Sequence, residues 1–204
     1  MSFTDKKGFM GGKEIQNIIK EFGHYMEAEK KIVVESKDRI QSLKTYGTIE
    51  VPLLKQALNS LGETFENIDN AREEKIDQMQ EKFITPLNML LNDLKSLNAE
   101  LKEKDHVFSH LEKANSKLSK LSNKPKEKLK EGQLEAAEKV LEEAEIVFKD
   151  EEAKANQMRE DFNSKKLEIM KAVLVDIIKD EKDFHEKVLG LMSNVKEKVD
   201  LLNL

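Results

Sequence analysis

The feature that most limits what this chain can fold into is an apolar seam that does not stop. Leu54, Leu58, Leu61, Phe65, Ile68, Ile76, Met79 and Phe83 lead into Leu87, Leu90, Leu94, Leu97 and Leu101, then Leu111, Ala114, Leu118 and Leu121. Steps of three and four are the period of one face of an α-helix. Pro86 stands inside this rhythm, in EKFITPLNMLLNDLKS. An interior proline removes one backbone hydrogen bond and pushes away the carbonyl of Lys82, at a cost of about 3 kcal/mol. A helix ending there would leave the seam no reason to keep its phase, and it keeps it. The pattern predicts one helix over about 53–122, kinked near Pro86.

Two more seams flank it. The first runs over about 13–44 through Ile15, Ile18, Ile19, Phe22, Met26, Ile40 and Leu43, and stops at TYGTIEVP, where Gly47 and Pro52 are breakers. The last covers about 127–202, beyond the polar SNKPKEK, and carries Leu134, Ala137, Leu141, Phe148, Ala155, Phe162, Ile169, Val173, Ile177, Phe184, Val188 and Val195. Helices of about 70 residues reach roughly 105 Å at 1.5 Å per residue. Seams this long imply left-handed coiled coils, and short connections make successive helices antiparallel. The expected fold is all-α, an elongated antiparallel three-helix coiled coil. Its first helix is too short to cover the other two, so a second copy is expected to bury what is left, giving a six-helix dimer core.

Composition agrees. The 204 residues are 37% charged, against about 25% in ordinary globular domains, which suits solvent-washed helices with narrow seams. With no cysteine, disulfides, thiolate metal sites and cysteine nucleophiles are excluded. MSFTDKKGFMGGKE has no apolar signal core, and the longest apolar run, AVLVDII at 172–178, is too short to span a bilayer.

Catalytic signals are missing. There is no phosphate loop of the GxGxxG or GK[ST] kind and no GxSxG elbow. His106 and His110 stand at i and i+4, a spacing that can hold a metal, but they lack the glutamate of a zinc-protease helix and a third ligand nearby in sequence. They read as two solvated helix residues, so no metal, cofactor or enzymatic activity is expected.

Lysine is more informative. Lys113, Lys117, Lys120 and Lys124 recur at steps of four, three and four. On an ideal helix they fall within an arc of about 60° that no acid shares, roughly 110° from the seam. Lys95 and Lys102 extend the stripe, and Lys126, Lys128 and Lys130 follow at the tip. Residues 95–130 hold ten basic and five acidic residues, a local excess of positive charge in a chain of net charge −5. Such a face suits an anionic membrane surface, where each lysine contributes about 1 kcal/mol. Residues 1–12 place Phe3, Phe9 and Met10 around Lys6 and Lys7, the pattern of a weakly amphipathic segment, but three glycines favour a flexible tail.

FITPLNMLLNDLKSLNAELKEKDHVFSHLEKANSKLSKL resembles the middle of the long second helix of BAR domains, with Leu87, Ala114, Leu118 and Leu121 at matching positions. EAEIVFKDEEAKANQMREDFNSKKLEIMKAVLVDIIKDEKDFHEKVLGLM resembles the third helix, including its FHEKVLGL ending at 184–191. One shorter helix followed by two very long ones also agrees. Leu111-Glu112 departs from the Tyr-Asp pair of many members, which leaves the subfamily open.

The resemblance implies a non-catalytic, crescent-shaped homodimer that binds anionic membranes and senses or generates curvature, cytoplasmic and peripheral, in endocytosis or membrane trafficking. It implies membrane-facing roles for Lys113, Lys117, Lys120 and Lys124, for Lys126, Lys128 and Lys130 at the tip, and for Lys165, Lys166 and Lys171 on the last helix. It puts Ile15, Ile18, Phe22, Leu61, Phe65, Ile68, Leu191, Val195 and Val199 at the dimer interface. The alternative is a structural coiled coil or scaffold that docks a small GTPase or a cytoskeletal or trafficking partner, with little lipid affinity. The acids at 142–145 and 150–152 speak for that second reading. No nucleic-acid partner is expected of so acidic a chain.

Overall fold

The structure, a computed structural model, describes residues 11–125 and 129–200. Phe3, Phe9, Met10, Lys126 and Lys128 lie outside the described residues. Four α-helices dominate: α1 (Gly11–Gly47), α2 (Pro52–Met79), α3 (Thr85–Ser122) and α4 (Gln133–Asp200). Among the described residues there is no strand.

Local chemistry sets the breaks. Turn hydrogen bonds from Thr48 N–H to the Thr45 carbonyl and from Ile49 N–H to the Tyr46 carbonyl close α1. Pro52 opens α2, where a missing N–H costs nothing because first-turn donors have no helical partner. Ahead of α4, Gly132 adopts φ 72°, a left-handed value natural to glycine, and Lys130 N–H donates to Gln133 Oε1 at 3.2 Å.

Between α2 and α3, Gln80–Ile84 form a π-helical turn, so the backbone stays helical without a break from Pro52 to Ser122. This is how the chain passes Pro86. Thr85 N–H reaches back to the Gln80 carbonyl, five residues away, and Thr85 Oγ1 donates to the same oxygen at 3.0 Å. Asn88 Nδ2 donates to the Ile84 carbonyl at 2.9 Å. Side chains thus add hydrogen bonds to carbonyls on both sides of the π turn. The wider turn also lets two neighbours, Phe83 and Ile84, both face inward. Phe83, Leu87 and Leu90 are the largest side chains that are fully buried.

The chain forms two compact units, residues 11–89 with 168–200, and residues 90–167. In the first, α1 and α2 run antiparallel. As α1 recedes from Lys44 through Glu29 to Phe22, its partners advance from Glu66 through Arg72 to Phe83. α4 is antiparallel to α2 as well: Ser60, Glu74 and Lys82 meet Lys198, Lys187 and Asp180 in turn. In the second unit Asp93, Glu100 and Phe108 of α3 meet Lys165, Lys154 and Phe148 of α4.

One buried cluster ties the three helices of the first unit together. Lys75, with a side chain only 3% exposed, donates to Glu29 at 3.0 Å, Tyr25 at 2.8 Å and Glu181 at 3.2 Å. Its ammonium sits 4.4 Å from the centre of the Phe184 ring, and Arg72 also pairs with Glu29. Burial alone raises a carboxyl pKa. At Glu29 it is outweighed by hydrogen bonds from Tyr25, Lys75 and Arg72 and by the Lys75 charge, which hold the group below its usual range. Burial, then the two carboxylates, push the Tyr25 phenol well up. A buried pair of this kind gives little net stability but penalises any register that separates its members.

Pro86→Ala restores a backbone donor and a good helix former. We expect it to raise the unfolding free energy by about 1–3 kcal/mol in urea titrations with helicity unchanged. A loss of stability would show that the proline itself holds the π turn that seats Phe83 and Ile84.

Candidate functional site

Within the second unit, the exposed side of α3 carries the basic ladder. Lys113, Lys117, Lys120 and Lys124 are all exposed and line one shallow groove with Ser109, Ser116, Leu121 and Glu112. Helical spacing puts consecutive members about 5–6 Å apart. Glu112, which the ideal arc leaves out, therefore borders the ladder and sets one negative charge against four positive ones.

The state of these lysines is informative. Among the described residues none of the four takes part in an ion pair or side-chain hydrogen bond. Other lysines are paired across helices, as Lys44 is to Glu66, Lys82 to Asp180, Lys154 to Glu100 and Lys187 to Glu74. In a chain with more acids than bases, the groove thus gathers four adjacent ammoniums against the single carboxylate of Glu112.

The remaining expected basic residues differ. Lys165 is paired with Asp93 at 2.5 Å, and Lys166 lies 6.0 Å from the Phe162 ring centre. Lys130 and Lys171 are exposed. Among the described residues, only the four α3 lysines are brought together.

The residues expected at a dimer interface also separate. Ile15, Ile68 and Val195 are buried inside a single chain, so they are already spent on its own seam. Ile18, Phe22, Leu61, Phe65 and Leu191 are half-buried, with Phe22 against Phe83 and Phe65 beneath Arg39. Val199 is 44% exposed and shares a stripe of α4 with Leu174, Ile178, Leu189 and Met192, of which Ile178 and Leu189 are about 70% exposed. At 100° per residue these five fall within about 80°. Sequence reasoning missed this second stripe because the seam beside it shares its spacing. Most of the large exposed apolar side chains lie in the first unit, including Ile32, Val34, Ile49 and Val51.

Nothing among the described residues assembles a group of three or more His, Asp or Glu side chains fit to hold a metal, and no helix is long and apolar enough to cross a membrane. Long antiparallel helices, one basic face and one uncovered apolar stripe define a helical interaction module that presents surfaces. Comparison with known families makes this specific. The family model described as BAR domain matches residues 11–201, so the chain belongs to the BAR domain family.

Solved structures agree on the fold. The amphiphysin BAR domain from Drosophila superposes with a TM-score of 0.77 at 15% identity, covering 97% of this chain and 89% of that one. The N-terminal I-BAR domain of IBARa from D. discoideum gives 0.57 at 15% identity, covering 94% of this chain and 84% of its own.

Proposed function

We propose that the protein is a non-catalytic membrane-curvature module, working as a homodimer that binds anionic bilayers peripherally through the α3 lysine face. The observation that carries this reading is the gathering of Lys113, Lys117, Lys120 and Lys124, exposed and without an ion-pair partner among the described residues, along one groove of α3. Four ammoniums at about 1 kcal/mol each give about 4 kcal/mol on an anionic surface, and a dimer doubles the number of contacts. The acids of α4 beyond a Debye length of about 8 Å are screened at physiological salt and weaken this only modestly.

The second copy is assigned to the α4 stripe. Covering Ile178 and Leu189 gains roughly 2 kcal/mol for each side chain removed from water, and the stripe lies in the unit where exposed apolar side chains concentrate.

Two experiments test the parts separately. In cosedimentation with phosphatidylserine vesicles, the protein pellets at low salt and progressively less as salt rises. The triple change Lys117→Glu, Lys120→Glu and Lys124→Glu abolishes pelleting while circular dichroism stays the same. Pelleting indifferent to both salt and these changes sinks the membrane reading and leaves the protein-docking scaffold in its place. In sedimentation equilibrium, Ile178→Asp with Leu189→Asp weakens dimerisation by roughly a hundredfold or more without loss of helicity. A wild-type monomer, or a double variant that dimerises as before, contradicts the interface.

A further inference from the structure

The α3 ladder does not begin at Lys113. His106, His110, Lys113, Lys117, Lys120 and Lys124 follow at alternating steps of four and three, so the two imidazoles continue the lysine stripe on the same exposed face. Lys102 precedes them by another step of four.

The two rings meet. His106 Nε2 and His110 Nε2 lie 3.2 Å apart, with ring centres at 4.6 Å and planes near perpendicular, at 74°. Metal–imidazole bonds are about 2.0–2.1 Å long, so one ion bonded to both nitrogens at their present 3.2 Å separation subtends an angle of about 100°. That lies between the adjacent-ligand angles of octahedral and tetrahedral coordination. The other ring nitrogen of His106, Nδ1, faces Glu103 Oε1 at 3.8 Å. With each ring protonated on Nδ1, both Nε2 lone pairs are available, and an ion seated between them replaces the hydrogen bond these nitrogens make at 3.2 Å. His24 and His185 each face a glutamate but no second imidazole.

We propose that His106 and His110 chelate one divalent first-row transition ion of the Zn2+ or Cu2+ class, for which imidazole is the suited ligand. Among the described residues the chain supplies two ligands and no third converges, so the open positions take water or an anionic oxygen. Lys102 and Lys113 flank the pair and repel a bare dication. A phosphate or carboxylate oxygen seated on the lysine face offsets that repulsion and can itself bind the ion. Metal and anionic surface therefore strengthen each other, and by linkage each does so by the same factor. The chelate stands on the imidazole geometry alone, whereas the coupling rests on the membrane reading above.

Titration calorimetry of the full chain with ZnCl2 near pH 7.5, without vesicles, tests the chelate. One ion binds per chain, and affinity falls as pH drops, because imidazole must be deprotonated to bind metal. His106→Ala and His110→Ala each weaken Zn2+ by more than about tenfold. His185→Ala leaves it unchanged, and Mg2+ gives no binding. Absence of Zn2+ binding, or binding unchanged in His106→Ala, overturns the proposal.

Phosphatidylserine vesicles then test the coupling. Zn2+ increases pelleting of the wild type severalfold but not of the His106→Ala, His110→Ala double variant, which removes any direct effect of Zn2+ on lipid. Wild type that pellets to the same extent with and without Zn2+ overturns the coupling. Failure to pellet under every condition counts against the membrane reading instead, and the calorimetry still decides the chelate.

Discussion

The structure depends on one constraint, that the apolar seam of the long helical run stays in phase past Pro86. Phe83, Leu87 and Leu90 are its best-covered side chains, and they bracket the proline. An ordinary α-helical path would leave carbonyls without donors there. At the π turn of Gln80–Ile84 the Thr85 N–H reaches the Gln80 carbonyl, and the Thr85 and Asn88 side chains add hydrogen bonds to the Gln80 and Ile84 carbonyls. Apolar packing on either side can then continue, and with it the antiparallel ladders that set α4 against α2 and α3 within each unit.

Those ladders sort the charges. A seam this narrow leaves most ionisable groups on the surface, and where helices meet they pair across, as Lys75 does with Glu29 and Glu181. On α3 pairing leaves over a ladder that includes Lys113, Lys117, Lys120 and Lys124; on α4 it leaves a stripe of leucine, isoleucine, methionine and valine. The proposed partners, an anionic surface and a second copy, answer to these two remainders.

Much of this was legible in the sequence, because helical period and phase are local properties. The three seams, the passage through Pro86 and the lysine ladder can all be read from spacing. The remainder depended on three-dimensional neighbours. Between Met26 and Ile40 the α1 seam runs through Glu29, Val33 and Ser36, and two of these look like surface residues until Arg72, Lys75 and Arg39 arrive beside them. A proline suggests a distortion but does not name a π turn. The two apolar stripes of α4 share one spacing, so the sequence could not say that Val195 faces inward while Ile178 and Leu189 face water.

The central claim is that the α3 lysine face is the surface that meets the bilayer. The chain has no cysteine, so a single environment-sensitive fluorophore can be placed at Ser116→Cys, between Lys113 and Lys117, and compared with one at the exposed Glu143→Cys of α4. On adding phosphatidylserine vesicles, the account predicts that the label at position 116 becomes shielded from an aqueous quencher while the label at 143 stays accessible. Shielding at 143 with none at 116, on vesicles that do bind the protein, would contradict it.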